Sequence, residues 1–68
     1  MPDFVREMLV EEDLMQAYQN RPPYQQNDYL GWINRAKRAD TQARRVGQML
    51  EELRDGDRYM KMEWKPGR

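Results

Sequence analysis

Apolar residues at helical spacing restrict the fold of this chain more than any other feature of its sequence. The first such stripe lies in a helix predicted for residues 25–38 and consists of Tyr29, Trp32, Ile33 and Ala36. These positions follow the i, i+3, i+4, i+7 spacing of one helix face. We expect the stripe to pack in a core, with Trp32 as its largest anchor, in preference to an exposed platform for a base or peptide.

A second stripe predicts another helix over residues 43–53. Its apolar face consists of Ala43, Val46, Met49, Leu50 and Leu53. The opposite face carries Arg45, Gln48 and Glu52, which we expect in solvent. The two stripes together predict a structural core formed by Tyr29, Trp32, Ile33, Ala36, Val46, Leu50 and Leu53.

Two short apolar clusters precede these helices and predict one bent helix or two short ones. The pair Pro22–Pro23 disfavours helical angles at the residue before it, so we expect the helix in front to end near residues 19–20. A break is expected at Glu11–Asp13, with Asp13 or Glu12 helping to start the next turn. The chain therefore divides into three or four short helices.

The second half of the chain contains its own boundary signals. Asp40 or Thr41 is expected to cap the start of the last helix, and Gly56 to end it. Beyond the glycine, alternating residues predict an extended segment without an evident partner strand, so the tail is expected to lie over the helices or to be mobile.

The fold class that follows is all-α, a small bundle of three to four short helices with an extended or mobile C-terminal tail. At 68 residues the chain is expected to hold one domain, residues 1–57, and a tail, residues 58–68. A chain of this size buries only about 60% of the surface of its extended form, so single core substitutions should have large effects.

Composition argues against catalysis. The chain has no cysteine, histidine or serine, which removes the common nucleophiles, the usual general base and the usual zinc ligands. We therefore expect no enzyme activity, no catalytic residue, no cofactor and no metal. No apolar run approaches the ~20 residues of a membrane span, and the acidic start does not resemble a secretion signal, so we expect a cytoplasmic protein.

Charge is balanced overall but unevenly distributed. Residues 1–13 contain five acidic residues and one basic residue, whereas residues 35–45 contain five basic residues and one acidic residue. The basic group is the candidate interaction surface and consists of Arg35, Lys37, Arg38, Arg44 and Arg45. A solvated charged face explains it most simply, and weak nucleic-acid binding is the alternative. The acidic group could capture cationic peptides through Glu7, Glu11, Glu12 and Asp13.

Gly47 is unusual because it falls inside a predicted helix, where glycine costs about 1 kcal/mol relative to alanine. Two interpretations remain open. Close approach of another helix or of an indole ring would require the glycine, or the residue is simply tolerated.

One line of the sequence resembles a known family. Tyr29, Trp32, Ile33, Ala36, Lys37, Thr41, Arg44 and Arg45 match the pattern Y-x-x-W-I-x-x-A-K-x-x-x-T-x-x-R-R. This spacing, the later ML-x-x-L-x-x-G of residues 49–56 and the earlier Pro-Pro pair are similar to the C-terminal helical module of the bacteriocin-protection, YdeI/OmpD-associated family, over about residues 2–57. Tyr24, Ala39 and Gln42 depart from that pattern.

The resemblance implies an association with resistance to bacteriocins or cationic antimicrobial peptides, and with outer-membrane porins. It implies no catalytic role for any matched residue. From it and from the composition we expect a non-enzymatic protein-interaction module of bacterial origin, with a protein partner or self-association.

Overall fold

A computed structural model describes residues 1–64 as four helices followed by a short β-hairpin. The helices are α1 (Asp3–Glu11), α2 (Met15–Gln19), α3 (Pro23–Arg35) and α4 (Ala39–Asp55), and the strands are β1 (Arg58–Tyr59) and β2 (Met62–Glu63). The predicted all-α bundle is confirmed. Within the described residues, no helix combines the length and the apolar character needed to cross a membrane.

The first break lies where it was predicted, but its chemistry differs. Asp13 has a φ of 60°. The amide of Asp13 donates to the carbonyl of Val10 at 3.1 Å, and the amide of Leu14 donates to the carbonyl of Leu9 at 2.8 Å. This pair of bonds around a left-handed residue is a Schellman motif, which ends a helix. The prediction that Asp13 or Glu12 helps to start the next turn is therefore wrong, because Glu12 and Asp13 end α1 and Leu14 is the N-cap of α2.

Helix α3 begins and ends earlier than predicted. Pro23 occupies its first turn, with Pro22 as the extended N-cap. Proline is favoured there because its missing N–H would have no partner and its φ already suits a helix. The helix stops at Arg35, and Ala36 is extended with a ψ of 124°. Ala36 is nevertheless buried, and its carbonyl accepts a hydrogen bond from the Gln42 amide at 3.2 Å.

The N-cap of helix α4 lies two or three residues before the predicted one, Asp40 or Thr41. Its N-cap is Arg38, which makes no capping hydrogen bond through its side chain, and Asp40 lies inside the first turn. An acidic residue in that turn interacts favourably with the helix dipole. Gly56 ends the helix with a φ of 80°, which confirms the prediction for that residue.

Most of the predicted core is buried, and α1 and α2 complete it. The buried members of the predicted set are Tyr29, Ile33, Ala36, Val46, Leu50 and Leu53. Val5, Leu9, Leu14 and Tyr18 join them from the first two helices. Trp32 is only partly buried and packs against the edge of the core. The central anchor is instead Tyr29, whose side chain is fully buried.

The tail forms a hairpin, so the prediction that it lacks a partner strand is wrong. Strands β1 and β2 pair antiparallel, with Tyr59 opposite Met62. Met60 and Lys61 form the turn with positive φ values of 50° and 64°, the combination that a type I′ turn requires. Residues 65–68 of the predicted tail lie outside the described residues.

A buried carboxylate holds the hairpin against α4. Glu52 was predicted to face solvent, but it is buried. Its two oxygens accept hydrogen bonds from the Tyr29 hydroxyl at 2.5 Å and from the Gln48 amide at 3.1 Å. They also accept from the backbone amides of Met60 and Lys61, each at 2.8 Å. Four donors from three elements therefore converge on one side chain.

Arg21 is the second buried charge in this region. Its guanidinium donates to the backbone carbonyls of Glu52 at 2.9 Å and Arg58 at 2.7 Å, and to the Gln25 side chain at 3.1 Å. It also lies 4.7 Å from the centre of the Trp64 ring. Throughout residues 1–64, every buried side-chain nitrogen or oxygen has a hydrogen-bond partner. The interior is thus partly polar and fully bonded.

This environment makes stability sensitive to alkaline pH. Burial raises the pKa of Tyr29 well above its ordinary value of 10.0, and the hydrogen bond to Glu52 raises it further. A pKa that is higher in the folded state gives stability that is complete below about pH 10 and is lost as pH rises. We expect the free energy of unfolding to fall above pH 10 by up to about 1.4 kcal/mol per pH unit from Tyr29.

Urea unfolding between about pH 8 and pH 11 measures this slope. Tyr29→Phe is the matched control, since it keeps the ring and removes the titrating group. In this variant the free energy of unfolding should fall less steeply with pH above about pH 10, because the contribution of one tyrosine is gone. An identical slope in the two proteins would show that the pKa of Tyr29 is the same in the folded and unfolded states, which would contradict the prediction.

Candidate functional site

A groove runs between α1 and α4, and we name it the α1–α4 groove. Helix α1 contributes Phe4, Glu7, Met8 and Glu11, and α4 contributes Ala39, Gln42, Ala43, Val46, Gly47 and Leu50. In each set the residues recur at three- or four-residue intervals, which places them on one helix face. The groove encloses about 440 Å³ and is open along one side.

The α4 side of the groove is lined by small residues. Ala39, Ala43 and Gly47 follow one another at intervals of four, one above the other on the helix. A Cβ built at Gly47 would meet no atom within 4 Å. The interpretation that an approaching helix or indole of the same chain requires this glycine is therefore wrong within the described residues.

The α1 side is apolar at one end and acidic at its edge. Phe4 is 41% exposed and presents its ring to the groove. Glu7 and Glu11 are both exposed. The ion pairs found among residues 1–64 are Arg6 with Asp3, Arg38 with Asp40, and Arg54 with Glu12. Glu7 and Glu11 belong to none of them, so the groove combines an apolar interior with two unneutralised carboxylates.

The four acidic residues predicted to capture cationic peptides divide between two roles. Glu7 and Glu11 line the groove. Glu12 pairs with Arg54 of α4, and Asp13 occupies the left-handed turn that ends α1. Only the first two therefore face a space that a ligand could enter.

The five basic residues of the predicted interaction surface also have different surroundings. Arg38 forms an exposed ion pair with Asp40 at 3.2 Å. Arg45 donates to the backbone carbonyl of Trp32 at 2.5 Å, and its guanidinium lies 5.3 Å from the centre of the indole ring. Arg44 and Arg45 line a cleft with Trp32, whereas the other three predicted residues do not line it.

Sequence reasoning did not find the groove, because its two sides are nearly thirty residues apart along the chain. One signal was available. The interval of four that joins Ala39, Ala43 and Gly47 marks a helix face without bulk, and a mid-helix glycine on that face points to a close neighbour.

A family comparison agrees with the resemblance seen in the sequence. The family model described as "Bacteriocin-protection, YdeI or OmpD-Associated" matches residues 1–56, which include both sides of the α1–α4 groove. Searches of curated proteins and of solved structures gave no match. The predicted recognition is therefore confirmed over most of the chain.

Proposed function

This chain belongs to the bacteriocin-protection, YdeI/OmpD-associated family, and we propose that it acts by binding a cationic amphipathic peptide helix in the α1–α4 groove. Gly47 is the observation that carries the proposal. A glycine inside a helix costs about 1 kcal/mol relative to alanine, and nothing in the described chain approaches it closely enough to require it. A ligand in the groove supplies the missing neighbour.

The shape of the groove suits a helix. Small residues at intervals of four allow two helix backbones to approach closely. The α4 side from Ala39 to Leu50 spans twelve residues, about 18 Å at 1.5 Å per residue, which accommodates three turns of a docked helix. Peptide helices bind such grooves through apolar side chains that recur at three- and four-residue intervals.

The acidic residues of the groove favour a positively charged ligand. Glu7 and Glu11 lie at its edge outside any ion pair found among residues 1–64. Lysine or arginine on the polar face of a docked helix would meet these carboxylates while its apolar face enters the groove. A cationic peptide ligand also accords with the bacteriocin protection named in the family description.

The proposed action is non-enzymatic. The chain offers no thiol, imidazole or serine hydroxyl to the bound peptide. Sequestration in the groove would keep an amphipathic peptide from other apolar surfaces, because its apolar face is already covered.

A titration with a model peptide tests the proposal. The probe is a helix of leucine and lysine of about 14 residues, matched to the length of the groove. We expect saturable changes in the NMR signals of the Ala39 and Ala43 methyl groups and of the Gly47 amide. Glu7→Lys combined with Glu11→Lys should weaken binding about tenfold, since each exposed pair contributes up to about 1 kcal/mol.

Two controls separate groove binding from general charge attraction. Glu51→Lys combined with Asp55→Lys makes the same change in net charge outside the groove and should bind the peptide more tightly than the groove variant does. Gly47→Leu should block the groove, and Gly47→Ala should weaken peptide binding by a smaller factor, because its methyl group takes space that the docked helix uses, while it raises the stability of α4 by about 1 kcal/mol. Equal affinity in both charge variants would refute the proposal. A dimer that Gly47→Leu dissociates would identify a second copy as the occupant instead.

A further inference from the structure

A second concave site lies on the neighbouring face of α4, and we name it the Trp32 cleft. It encloses about 310 Å³ and is lined by Trp32, Thr41, Arg44, Arg45, Gln48 and Lys61. We infer that this cleft binds the phosphate group of a small phosphorylated molecule. The inference is independent of the peptide groove, since the two sites share no lining residue.

Three cations and no carboxylate line the cleft. Arg44, Arg45 and Lys61 take part in none of the ion pairs found among residues 1–64. Their positive charge is therefore available to an anion. The hydroxyl of Thr41 accepts a hydrogen bond from Arg44 at 3.4 Å and keeps its own hydrogen to donate to a ligand, whereas the side-chain amide of Gln48 is already bonded to Glu52. Converging cations with a neutral hydroxyl donor beside them form a suitable environment for phosphate oxygens.

The cleft is held in place before any ligand arrives. Arg45 is fixed by its hydrogen bond to the Trp32 carbonyl and by its stacking on the indole ring. Lys61 lies in the hairpin turn, and its backbone amide is bound to the Glu52 carboxylate at 2.8 Å. Because the side chain of Arg45 and the backbone of Lys61 are already held, binding loses less conformational entropy than it would on a flexible basic patch.

The surroundings favour a small ligand over a nucleic acid. The guanidinium of Arg45 lies over the Trp32 ring, so the indole face is not free to stack on a base. The adjoining cavity shares Arg44, Gln48 and Lys61 with the cleft. Its other charged lining residues are Glu51, Glu52, Asp55 and Arg58, three acidic and one basic. The acidic residues beside the cleft would repel the extended phosphate backbone of a polyanion, whereas a small phosphorylated ligand is short enough to stay between the cations.

Titration with inorganic pyrophosphate, followed by NMR at constant ionic strength, tests the inference. We expect saturable shifts at the indole N–H of Trp32 and at the side chains of Arg44 and Arg45. Arg44→Gln and Lys61→Gln should each weaken binding by about tenfold, because each removes a charge-assisted contact to the anion. Lys37→Gln removes one exposed charge outside the cleft and should bind pyrophosphate like the parent.

The alternatives give different results. Shifts that rise linearly without saturation, or equal weakening in Lys37→Gln and Arg44→Gln, would show diffuse charge attraction and overturn the inference. A short DNA duplex is the second probe. Sub-micromolar affinity for the duplex, lost in Arg44→Gln and steeply dependent on salt, would replace the small ligand with a nucleic acid. Weak duplex binding together with saturable pyrophosphate binding supports the cleft as proposed.

Discussion

Tyr29→Ala is expected to leave the domain unfolded at room temperature. Tyr29 is the largest fully buried side chain, and truncating a large buried aromatic costs about 3–5 kcal/mol. The change also removes one of the donors to the buried Glu52 carboxylate, which adds about 1–3 kcal/mol. A domain of 68 residues has only about 3–10 kcal/mol of stability at about 0.05–0.15 kcal/mol per residue. Circular dichroism and urea unfolding measure the result.

Two further variants locate the source of the effect. Tyr29→Phe keeps the ring and loses only the hydroxyl, so it should remain folded and lose about 1–3 kcal/mol. Trp32→Ala removes a larger side chain, but one that lies at the edge of the core and is partly solvated. It should also remain folded. If Trp32→Ala were the more damaging of the two alanine variants, the core would be centred on the indole and our assignment would be wrong.

The contrast between these aromatic residues shows what helical spacing predicts and what it leaves open. Tyr29, Ile33 and Ala36 were correctly expected in the core, because residues that recur at the helical period share a face. Trp32 shares that face, but periodicity does not say how far the neighbouring helices extend across it. The position of Trp32 depends on where α3 ends and where α4 crosses it, and these are long-range properties.

Two helix ends were predicted correctly because they depend on local backbone chemistry. The Pro22–Pro23 pair places the end of α2 near residues 19–20 and Gly56 places the end of α4, since proline and glycine act through their own backbone angles. The predicted start of α3 near residue 25 was wrong, because Pro23 itself occupies the first turn. Asp13 was misread because an aspartate before a helix more often caps the next helix than ends the previous one. Its left-handed conformation follows from the hydrogen bonds to Val10 and Leu9, which a sequence pattern does not reveal.

The hairpin and the buried polar residues could not be predicted from the sequence, because their partners are backbone groups that are distant along the chain. Glu52 was expected in solvent because a charged side chain without a visible partner is normally exposed. Its partners include two backbone amides that reach it only after the chain turns back at Gly56. Arg21 likewise binds carbonyl groups of residues more than thirty positions away. Backbone donors and acceptors carry no residue-specific signal.

The α1–α4 groove was partly predictable. Its acidic edge was a candidate for capturing cationic peptides, and a close neighbour was one of the two interpretations of Gly47. The sequence did not indicate that these features face the same space. That conclusion depends on the packing of α1 beside α4, which the Schellman turn at Asp13 and the core contacts of Val5 and Leu9 determine.

Glu52→Ala is expected to release the hairpin and to destabilise the whole domain by about 3–5 kcal/mol. The substitution leaves four donors without their acceptor, two of them backbone amides of the hairpin turn. Arg21 keeps its own hydrogen bonds, which go to backbone carbonyls and to the Gln25 side chain, so the loss falls on these four donors, at about 1–3 kcal/mol for each buried donor left unpaired. Urea unfolding should report the global loss of stability. Hydrogen exchange of the Met60 and Lys61 amides should report the local release.

Glu51→Ala provides the matched control for this prediction. It removes the same charge from the adjacent position of α4, but Glu51 is exposed, so its loss should change stability by no more than about 0.5 kcal/mol. The two measurements then separate the contribution of Glu52 to the hairpin turn from its contribution to the stability of the helices. Faster amide exchange at the turn with little global destabilisation would mean that the hairpin opens without the helices. Equal exchange and equal stability in the two variants would show that Glu52 does not hold the hairpin. We expect both quantities to change together, because Tyr29, the centre of the core, donates to the same carboxylate that binds the turn.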